Sequence, residues 1–560
     1  ANTFTGTTTQ TSGLLQIGSG GTSGSYAGNI VAGGTVAFNR SDSSEYGGVI
    51  SGDGNLVKSS TGTLTLTGNN TYGGGTQINA GTLAVGNGGT SGSIAGDVTN
   101  NGKLAFNRGD DITFGGVITG SGSLDKSGNG KLTLTAENAY AGTTVVNNGT
   151  LALLQENAAG TGTISLADTT TLQLGFNNGV FDNSIFGFAG STVSVLGSNI
   201  TLGVSNPVFS GTWNVTGSAN ISTPGNLGNG SVSLAGDLNL NAQAGNYAFN
   251  NALSGAGDLN VTMASGSDVF SFSNAANNGF TGTLSLGKSS FGLSGANTQV
   301  LANASLQLNN GNVTTVGDGE QAIGNLNLNG GSLAWDGFTT PEENPNGTIS
   351  TNNLALNGGQ IRVDMSAAGE SNPPASGGSK LLQQDDGNVS SKLISAGHVT
   401  GDISNIQLAD LNGNALAANQ VVGVVENNVK VADASYNYGL TTGSGNDGVY
   451  LNYGLTQLDI LANQTLTFSG DETTPDGAND MKAKITGSGN LAINATDKII
   501  LANTTNDYTG STTVNSGTLQ LGTDHALGNT SLLDIAAGAT MDMNGKTQTV
   551  RALGGAGSLN

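Results

Sequence analysis

Two histidines, His398 and His525, are the only imidazoles that could serve acid–base chemistry near neutral pH in these 560 residues. A catalytic triad would need one of them beside a serine on a strained turn, but neither Gly-Asp-Ser-Gly nor Gly-x-Ser-x-Gly occurs in the sequence. The chain also has no cysteine, which excludes thiol nucleophiles, disulfides and zinc–thiolate sites. We therefore predict no catalytic residues and no enzymatic activity.

Three segments have the oxygen-rich composition that hard cations prefer. Residues 443–449, Gly-Ser-Gly-Asn-Asp-Gly-Val, resemble one calcium-binding nonapeptide, but such sites are built from tandem copies and this segment is single. The pairs Asp385-Asp386 and Asp471-Glu472 belong to a chain with 38 acidic residues, where such pairs are typical of solvated turns. We predict neither a bound metal nor a cofactor.

Two kinds of exposed turn could bind a macromolecule. Arg108-Gly109-Asp110 spells an integrin-type tripeptide, whereas its repeat partner Arg40-Ser41-Asp42 lacks the glycine, and both also fit a plain polar turn. A sugar-stacking patch could be formed by Tyr436, Tyr438, Tyr450 and Tyr453, since aromatic faces suit carbohydrate rings, although packing between coils explains them equally well. The candidate binding residues, all expected in exposed turns, are Arg40, Asp42, Arg108, Asp110, Asp111, Tyr436, Tyr438 and Tyr453.

Composition narrows the class of protein that carries these residues. Glycine occurs 93 times and proline only 7 times, without the three-residue period of collagen. The formal charge of −22, with 16 basic residues, disfavours nucleic acid and anionic membranes as partners, because both are bound by dense Lys and Arg. No long apolar run is present and the first residues lack a basic or apolar leader, so we expect the chain to begin after a removed signal.

The N-terminal part of the chain repeats itself with a shift of 68 positions, which carries residue 21 to residue 89. Residues 21–25 return at 89–93, residues 37–40 at 105–108, and residues 64–67 at 132–135. A strand-turn-strand coil needs roughly 20 residues, so we interpret the repeat as three stacked coils of about 23 residues each. Single coils are visible further along, where Leu-Gln-Leu-Asn at 306–309 returns in similar form at 326–329 and 354–357.

Short segments within each coil alternate apolar and small polar residues, which is the periodicity of a strand with one buried face. Gly-x-Gly-x-Leu begins at residues 52, 120, 255, 487 and 555, and glycine supplies the positive φ that corners between strands need. The sequence therefore predicts an all-β fold, a single right-handed parallel β-helix (β-solenoid) in the form of an elongated rod. Regularity fails at 337–395, which holds four prolines, so we expect solenoid at 1–336, a long loop excursion at 337–395, and solenoid again at 396–560.

One motif within the repeat carries a family resemblance. Residues 62–83, with Asn70-Thr71-Tyr72-Gly73-Gly74 followed by Gly81-Thr82-Leu83, resemble the autotransporter-associated β-strand repeat, and variants begin at 138, 278 and 506. The segments around Tyr436 and Tyr453 are similar to parts of AIDA-type and antigen-43-like passengers. The resemblance implies a self-associating adhesin passenger with a three-sided β-helix, secreted through a C-terminal outer-membrane barrel. It places the chain at the bacterial cell surface, anchored to the outer membrane or released, and we expect it to be truncated before the autochaperone and the barrel.

Three functions are compatible with such a chain. The leading hypothesis is bacterial self-association, with aggregation and biofilm formation, through ladders of Asn, Thr, Ser and Asp that face an identical chain on a neighbouring cell. The alternative is attachment to a host matrix protein or glycan through the 337–395 excursion or the tyrosines. The third is a β-helix enzyme acting on polysaccharides, which would need paired carboxylates near Lys or Arg, whereas Arg362 with Asp364 is an isolated pair.

Overall fold

The computed structural model describes residues 2–273, 279–336, 346–364, 381–382, 389–417, 419–469 and 479–560. These residues form strands and turns almost throughout, with one short α-helix, Gly295–Leu301, and two 3-10 turns, Pro224–Asn226 and Ile403–Asn405. They divide into two compact units: Ala1–Ser289 with Gln299–Ser305, and Ser290–Thr298 with Leu306–Asn560. Stacked coils with parallel pairing make up most of both units, which confirms the predicted β-solenoid.

Each coil of the first unit crosses three faces, and strands of successive coils pair in parallel along each face. Face 1 contains Thr8–Gln10, Ile30–Ala32, Ile50–Ser51, Ile112–Phe114, Lys131–Leu134, Thr150–Leu153, Thr171–Leu174, Thr192–Val195, Thr212–Val215, Ser231–Leu234, Leu253–Gly255 and Gly279–Phe280. Face 2 contains Leu14–Ile17, Thr35–Phe38, Asn55–Lys58, Thr76–Ile78, Val98–Asn100, Ile118–Thr119, Val180–Phe181, Ile200–Leu202, Ser218–Ile221, Asp237–Asn241, Leu259–Thr262 and Thr283–Leu286. Face 3 contains Ser44–Tyr46, Thr63–Leu66, Thr82–Val85, Lys103–Phe106, Ser123–Lys126, Thr144–Val146, Ile164–Leu166, Ile185–Gly187, Tyr247–Phe249 and Val269–Phe272. Alternate residues point inward, as in Thr63–Leu66, where both leucines are fully buried.

The coils are shorter than the repeat predicts. Val36 pairs with Leu56, Leu56 with Thr76, and Thr76 with Val98, which gives coils of 20, 20 and 22 residues. Leu104, the repeat equivalent of Val36, therefore lies six residues beyond the third coil, on the next face. The interpretation of the repeat as three coils of about 23 residues is wrong: the repeat spans three coils and one face, so equivalent strands of its two copies lie on different faces.

Glycine has two separate roles in the Gly-x-Gly-x-Leu corners. The first glycine adopts a left-handed backbone, as Gly120 does with φ of 101°. The second lies against the coil below, because a β-carbon added at Gly122 would stand 2.2 Å from the carbonyl oxygen of Gly102. The leucine then points inward, and Leu124 is fully buried. Positive φ thus explains only the first glycine of the motif, and close stacking of backbones explains the second.

The second unit begins with long strands that bend across more than one face. It contains Ser289–Leu293 and Ser305–Asn309 in part, then Asn312–Val316, Gly319–Trp335, Gly347–Val363, Val389–Gly401, Ile406–Ala409, Asn419–Glu426, Val429–Thr441, Gly448–Ile460, Thr465–Phe468, Asp480–Met481, Lys484–Gly487, Asn490–Leu501, Thr512–Leu521, Leu533–Ile535, Thr540–Asp542, Leu553–Gly555 and Ser558–Leu559. Gly347–Val363 pairs in parallel with Gly319–Trp335 on one side and with Val389–Gly401 on the other.

That pairing corrects the predicted excursion at 337–395. Residues 347–363 are a coil of the solenoid, because their apolar residues alternate inward, with Leu354, Leu356 and Ile361 fully buried. Residues 337–345, 365–380 and 383–388 lie outside the described part of the chain, and so does the acidic pair Asp385-Asp386. The prediction rested on four prolines, and all four belong to those stretches. None of them belongs to the strand, so they do not argue against a coil at 347–363.

The predicted continuation of the solenoid at 396–560 also needs a correction. Asn419–Glu426 and Val429–Thr441 form an antiparallel hairpin, and Val429–Thr441 pairs antiparallel with Gly448–Ile460. The two-residue turn of the hairpin is Asn427-Asn428, with φ of 52° and 63°, the geometry that a type I′ turn requires and that asparagine tolerates. Parallel stacking resumes where Gly448–Ile460 pairs with Lys484–Gly487.

Among the residues that the structure describes, no helix has the length and apolar character needed to cross a membrane.

Candidate functional site

Arg108, the first residue of the integrin-type tripeptide, is largely buried, since only 9% of its side chain is exposed. Its Nε and Nη2 donate to the two carboxylate oxygens of Asp110, at 2.9 and 2.8 Å. Nη2 also donates to the carbonyl oxygen of Thr90 at 2.5 Å, and Nη1 donates to that of Gly92. The hydrogen bond from Arg108 lowers the pKa of the Asp110 carboxyl below its usual value. This guanidinium holds a glycine-rich loop in place and is not presented to a receptor.

Arg40 makes the same contacts one repeat earlier. It donates to both oxygens of Asp42 and to the carbonyl oxygens of Thr22 and Gly24. The prediction that Arg40 and Arg108 are exposed binding residues is therefore wrong, because the loop 16 to 18 residues upstream covers each of them. Asp111 is the exposed member of the set, at 68%; its carboxylate accepts from the backbone N–H of Lys131 at 2.8 Å.

Replacing Arg108 by alanine should loosen the loop that it holds. The carbonyl groups of Thr90 and Gly92 would lose their charged donor, and each such loss costs about 1–3 kcal/mol when the group stays buried. We expect faster hydrogen–deuterium exchange across residues 86–93. Lys131→Ala is the matched control, since the Lys131 side chain is 42% exposed and its ammonium lies 3.9 Å from the Asp111 carboxylate. Equal rates of hydrogen–deuterium exchange at residues 86–93 in the two variants would contradict the conclusion that Arg108 holds this loop in place.

Two tyrosines of the predicted aromatic patch, Tyr436 and Tyr438, are not on the surface. Tyr436 is fully buried and Tyr438 is 6% exposed, and their ring centroids lie 5.9 Å apart inside the core of the second unit. Burial raises the pKa of both phenols well above the usual value. The side chain of Tyr453 lies outside the described residues, although its backbone pairs with Tyr438. The expectation that Tyr436 and Tyr438 lie in exposed turns is wrong, because both lie at inward-facing positions of a strand in an antiparallel pair.

The nonapeptide-like segment is a hairpin connection. Residues 442–447 join Val429–Thr441 to the antiparallel strand Gly448–Ile460. The Asp447 carboxylate accepts from Lys392 Nζ at 2.7 Å and from the Tyr450 hydroxyl at 2.9 Å, which lowers the pKa of Asp447. Both carboxylate oxygens of Asp447 thus accept hydrogen bonds from neighbouring side chains of the chain. Asp471-Glu472 lies outside the described part of the chain.

The two histidines lie in separate segments of the second unit. His398 lies within the strand Val389–Gly401, where it pairs with Asn353. His525 has φ of 58° and lines an open cavity of about 260 Å³ with Arg551, Asn506, Asn529, Thr530, Thr549, Gly528 and Val550. None of these described lining residues carries a carboxylate that could complete an acid–base pair inside the cavity.

The polar residues of the resembling motif lie inside the solenoid. The side-chain oxygen of Asn70 accepts from the backbone N–H of Ile50 at 2.8 Å, and its amide nitrogen donates to the carbonyl oxygens of Gly68 and Ser93 at 3.0 and 2.8 Å. The hydroxyls of Tyr72 and Thr76 are hydrogen-bonded at 2.7 Å in the core. Tyr140 with Thr144 and Tyr508 with Thr512 repeat the pair at 2.5 and 2.7 Å. The motif therefore builds the coil stack and leaves the outward faces free to vary.

An outward ladder of asparagines runs up face 2 of the first unit. Each side-chain nitrogen donates to the side-chain oxygen of the asparagine one coil earlier, at 3.0, 2.7, 3.1 and 3.0 Å along the series. We call this series the asparagine ladder, and its members are Asn178, Asn199, Asn220, Asn239 and Asn260. The sequence analysis predicts polar ladders but assigns no residues to them. These five asparagines could have been identified by their spacing of 21, 21, 19 and 21 residues, which is close to one coil.

Shorter outward ladders occur in the second unit. Asn327 donates to Gln307 at 3.0 Å and accepts from Asn357 at 2.9 Å. Asn329 donates to Asn309 at 2.8 Å, and Asn515 donates to Asn494 at 2.8 Å. Outward amides stacked at the coil spacing are thus a shared feature of both units.

Comparison with known proteins agrees with the repeat. The family described as passenger-associated-transport-repeat matches residues 56–85, 124–153 and 486–521, and the first two segments are related by the same shift as the repeat. The uncharacterized lipoprotein YdeK of Escherichia coli (strain K12) is 33% identical over 276 residues, which are 46% of this chain and 21% of that protein. The uncharacterized protein YuaQ of the same strain is 32% identical over 273 residues, 47% of this chain and 20% of that protein.

A shorter match carries a functional name. The adhesin BmaC autotransporter of Brucella suis biovar 1 (strain 1330) is 57% identical over 54 residues, 10% of this chain and 2% of that protein. The chain thus spans about a fifth or less of the length of these relatives. No solved structure matches it.

These matches confirm two predictions. The repeat and the lipoprotein relative fit a protein of the cell surface or outer membrane, as predicted. The narrower likeness to AIDA-type and antigen-43-like passengers stays a prediction. Repeats of the passenger-associated-transport family at both ends of the chain, on a parallel solenoid, together with the short match to an autotransporter adhesin, support an autotransporter passenger domain.

Proposed function

We propose that this chain is the adhesive part of a passenger and that it binds a second copy of itself on a neighbouring cell, as in aggregation and biofilm formation. The asparagine ladder is the observation that carries the proposal. Asn199 donates one N–H to Asn178 and accepts one hydrogen bond from Asn220. A side-chain amide has two N–H groups and two lone pairs, so each inner member keeps hydrogen-bonding capacity for a partner.

A second copy is favoured as the partner because its ladder has the same spacing. The coils fix the distance between successive amides at the strand separation, about 4.8 Å. Two ladders laid side by side therefore stay in register over several coils, and each contact raises the effective concentration for the next. A ligand with a different repeat would lose register after one or two contacts. The relative that is named an adhesin supports this class of function.

A purely adhesive role needs no chemistry, and we propose that the chain is not an enzyme. Host attachment through a loop at 337–395 has less support, since residues 347–363 belong to the solenoid. Tyr436 and Tyr438 cannot stack on a sugar while they are buried. The ladder is therefore the surface that we test.

The test is clumping of cells that display the passenger. Wild-type cells should settle together and leave fluorescent, non-displaying cells dispersed in the same tube. The triple variant Asn199→Ala, Asn220→Ala, Asn239→Ala should settle markedly more slowly. The matched control is Gln173→Ala, Asn214→Ala, Ser233→Ala, which changes outward residues of face 1. No settling by wild-type cells, or equal settling by both triple variants, would refute the proposal.

A further inference from the structure

Three large apolar side chains protrude together from face 3 of the first unit. Phe186 is 40% exposed, Phe188 is 56% exposed and Val208 is 55% exposed. The two phenylalanine rings meet edge to face, with centroids 5.6 Å apart. Val208 belongs to the next coil, because Gly187 and Phe209 form a parallel bridge that places Val208 beside Phe186. We call these three residues the apolar patch.

The patch contrasts with the outward position one coil earlier on face 3. One coil earlier, the position that pairs with Phe186 is Ser165. Outward positions on parallel strands usually carry polar residues when they face water, and a cluster of exposed aromatic side chains marks an interaction site. The core does not need these rings, since the inward neighbours Ile185 and Phe209 are buried without them.

The charge around the patch points to the kind of partner. Residues 183–236 contain no Asp, Glu, Lys, Arg or His, although the chain carries a formal charge of −22. Two copies of so acidic a chain repel each other over most of their surface. These coils carry few charges, although the Asp168 carboxylate of the coil below accepts from the backbone N–H of Gly190, beside the patch, at 3.2 Å. Burial of the aromatic rings against a second copy is favourable.

We propose that the apolar patch docks against the apolar patch of a second copy of this chain. The contact is isologous, so that Val208 of one copy lies near Val208 of the other. This proposal rests on the proposed self-association and adds a second surface to it, on the face next to the asparagine ladder. Two phenylalanines bury about 150–250 Å² each, well below the roughly 800 Å² per partner of a stable complex. A single contact is therefore weak and becomes effective when many copies face one another.

Cysteine crosslinking tests the contact directly, because the chain has no cysteine of its own. In the full chain at high concentration, Val208→Cys should form a covalent dimer with a short bismaleimide. Adding Phe186→Ser and Phe188→Ser should abolish that dimer. The matched control is Leu196→Cys, since Leu196 is 48% exposed on the same coils but lies at the end of a face 1 strand. Equal crosslinking at both cysteines, or none at Val208→Cys, would overturn the proposal.

Cell clumping separates this inference from the proposed function. Cells displaying Phe186→Ser with Phe188→Ser should clump less than wild-type cells, with circular dichroism of the purified chain unchanged. If wild-type and variant cells clump equally, the patch proposal fails and self-association stands. If wild-type cells do not clump but Val208→Cys still crosslinks, the proposed function fails and the contact stands. Binding of a glycan or host protein that requires the two phenylalanines, without any dimer, would assign the patch to another partner and overturn the proposal.

Salt gives one more readout. A contact made by apolar side chains has no ion pair to screen, and added salt reduces the repulsion between two acidic chains. The yield of the Val208→Cys dimer should therefore hold or rise as sodium chloride is added. A yield that falls with salt would show that ion pairs hold the two copies together and would overturn the proposal.

Discussion

Gly122→Ala is expected to open the solenoid locally and to be among the most damaging single substitutions in the first unit. The added β-carbon would lie 2.2 Å from the carbonyl oxygen of Gly102 and 2.5 Å from the side-chain oxygen of Asn100. The carbonyl belongs to the backbone of the coil below and cannot move away without breaking the pairing there. Overpacking of this kind typically costs about 1–3 kcal/mol, and we expect the upper end of that range here because a rigid backbone atom is in the way.

The effect should be confined to neighbouring coils, because each coil of a solenoid contacts only the coils above and below it. We expect faster hydrogen–deuterium exchange from residue 98 to residue 126 and a lower midpoint of thermal unfolding. Gly21→Ala is the matched control: no atom lies within 4 Å of its added β-carbon, and its backbone is not left-handed. If both variants exchange alike, close stacking is not the reason for the second glycine.

The same geometry explains much of the glycine content. A β-carbon at Gly142 would lie 2.3 Å from the carbonyl oxygen of Gly122, and one at Gly162 would lie 2.1 Å from that of Gly142. Glycines thus form a column in which each backbone touches the next. The sequence alone reveals the motif and its spacing, but the distance between two coils is a tertiary quantity. The interpretation made from the sequence, a positive φ at every corner, therefore explains only the first of the two glycines in each Gly-x-Gly-x-Leu motif.

The fold class was predictable because two periods are visible in the sequence, alternation within strands and the fixed shift between repeat copies. The coil length was not, because that shift is not a whole number of coils. The hairpin in the second unit was missed although its signal is present: Asn427-Asn428 separates two valine-rich runs. A two-residue turn is too short to stand out against a repeat that spans several coils.

The site residues were harder to predict, because residue type does not report burial. Arg108 and Asp110 have the composition of an exposed turn, yet the partners of Arg108 are carbonyl groups of a loop 16 and 18 residues earlier. The repeat contains a signal of this structural role. Arg40 and Gly24 recur together as Arg108 and Gly92, in the same register. Residues retained as a set between repeat copies are more often structural partners than a ligand site.

Asn70→Ala is expected to destabilise three coils at once. Its side-chain amide, 2% exposed, joins the backbone of Ile50, Gly68 and Ser93. Truncation would leave one buried N–H and two carbonyl groups without these partners, at a cost on the order of 3–5 kcal/mol for the group. The amide of Ile50 should lose its protection from hydrogen exchange. Asn79→Ala is the matched control, because the Asn79 side chain is exposed and accepts only from Gln77.

The equivalent variants should behave alike wherever the passenger repeat occurs. Asn138 accepts from the backbone N–H of Ile118 at 2.8 Å, and Asn506 accepts from that of Ile485 at 2.7 Å. If Asn138→Ala and Asn506→Ala leave exchange unchanged, the buried asparagine is not the element that the repeat encodes. If all three lose protection, the buried asparagine of the repeat specifies how coils stack. The proposed adhesion would then rest on outward residues, such as the asparagine ladder and the apolar patch, which the buried asparagine does not constrain.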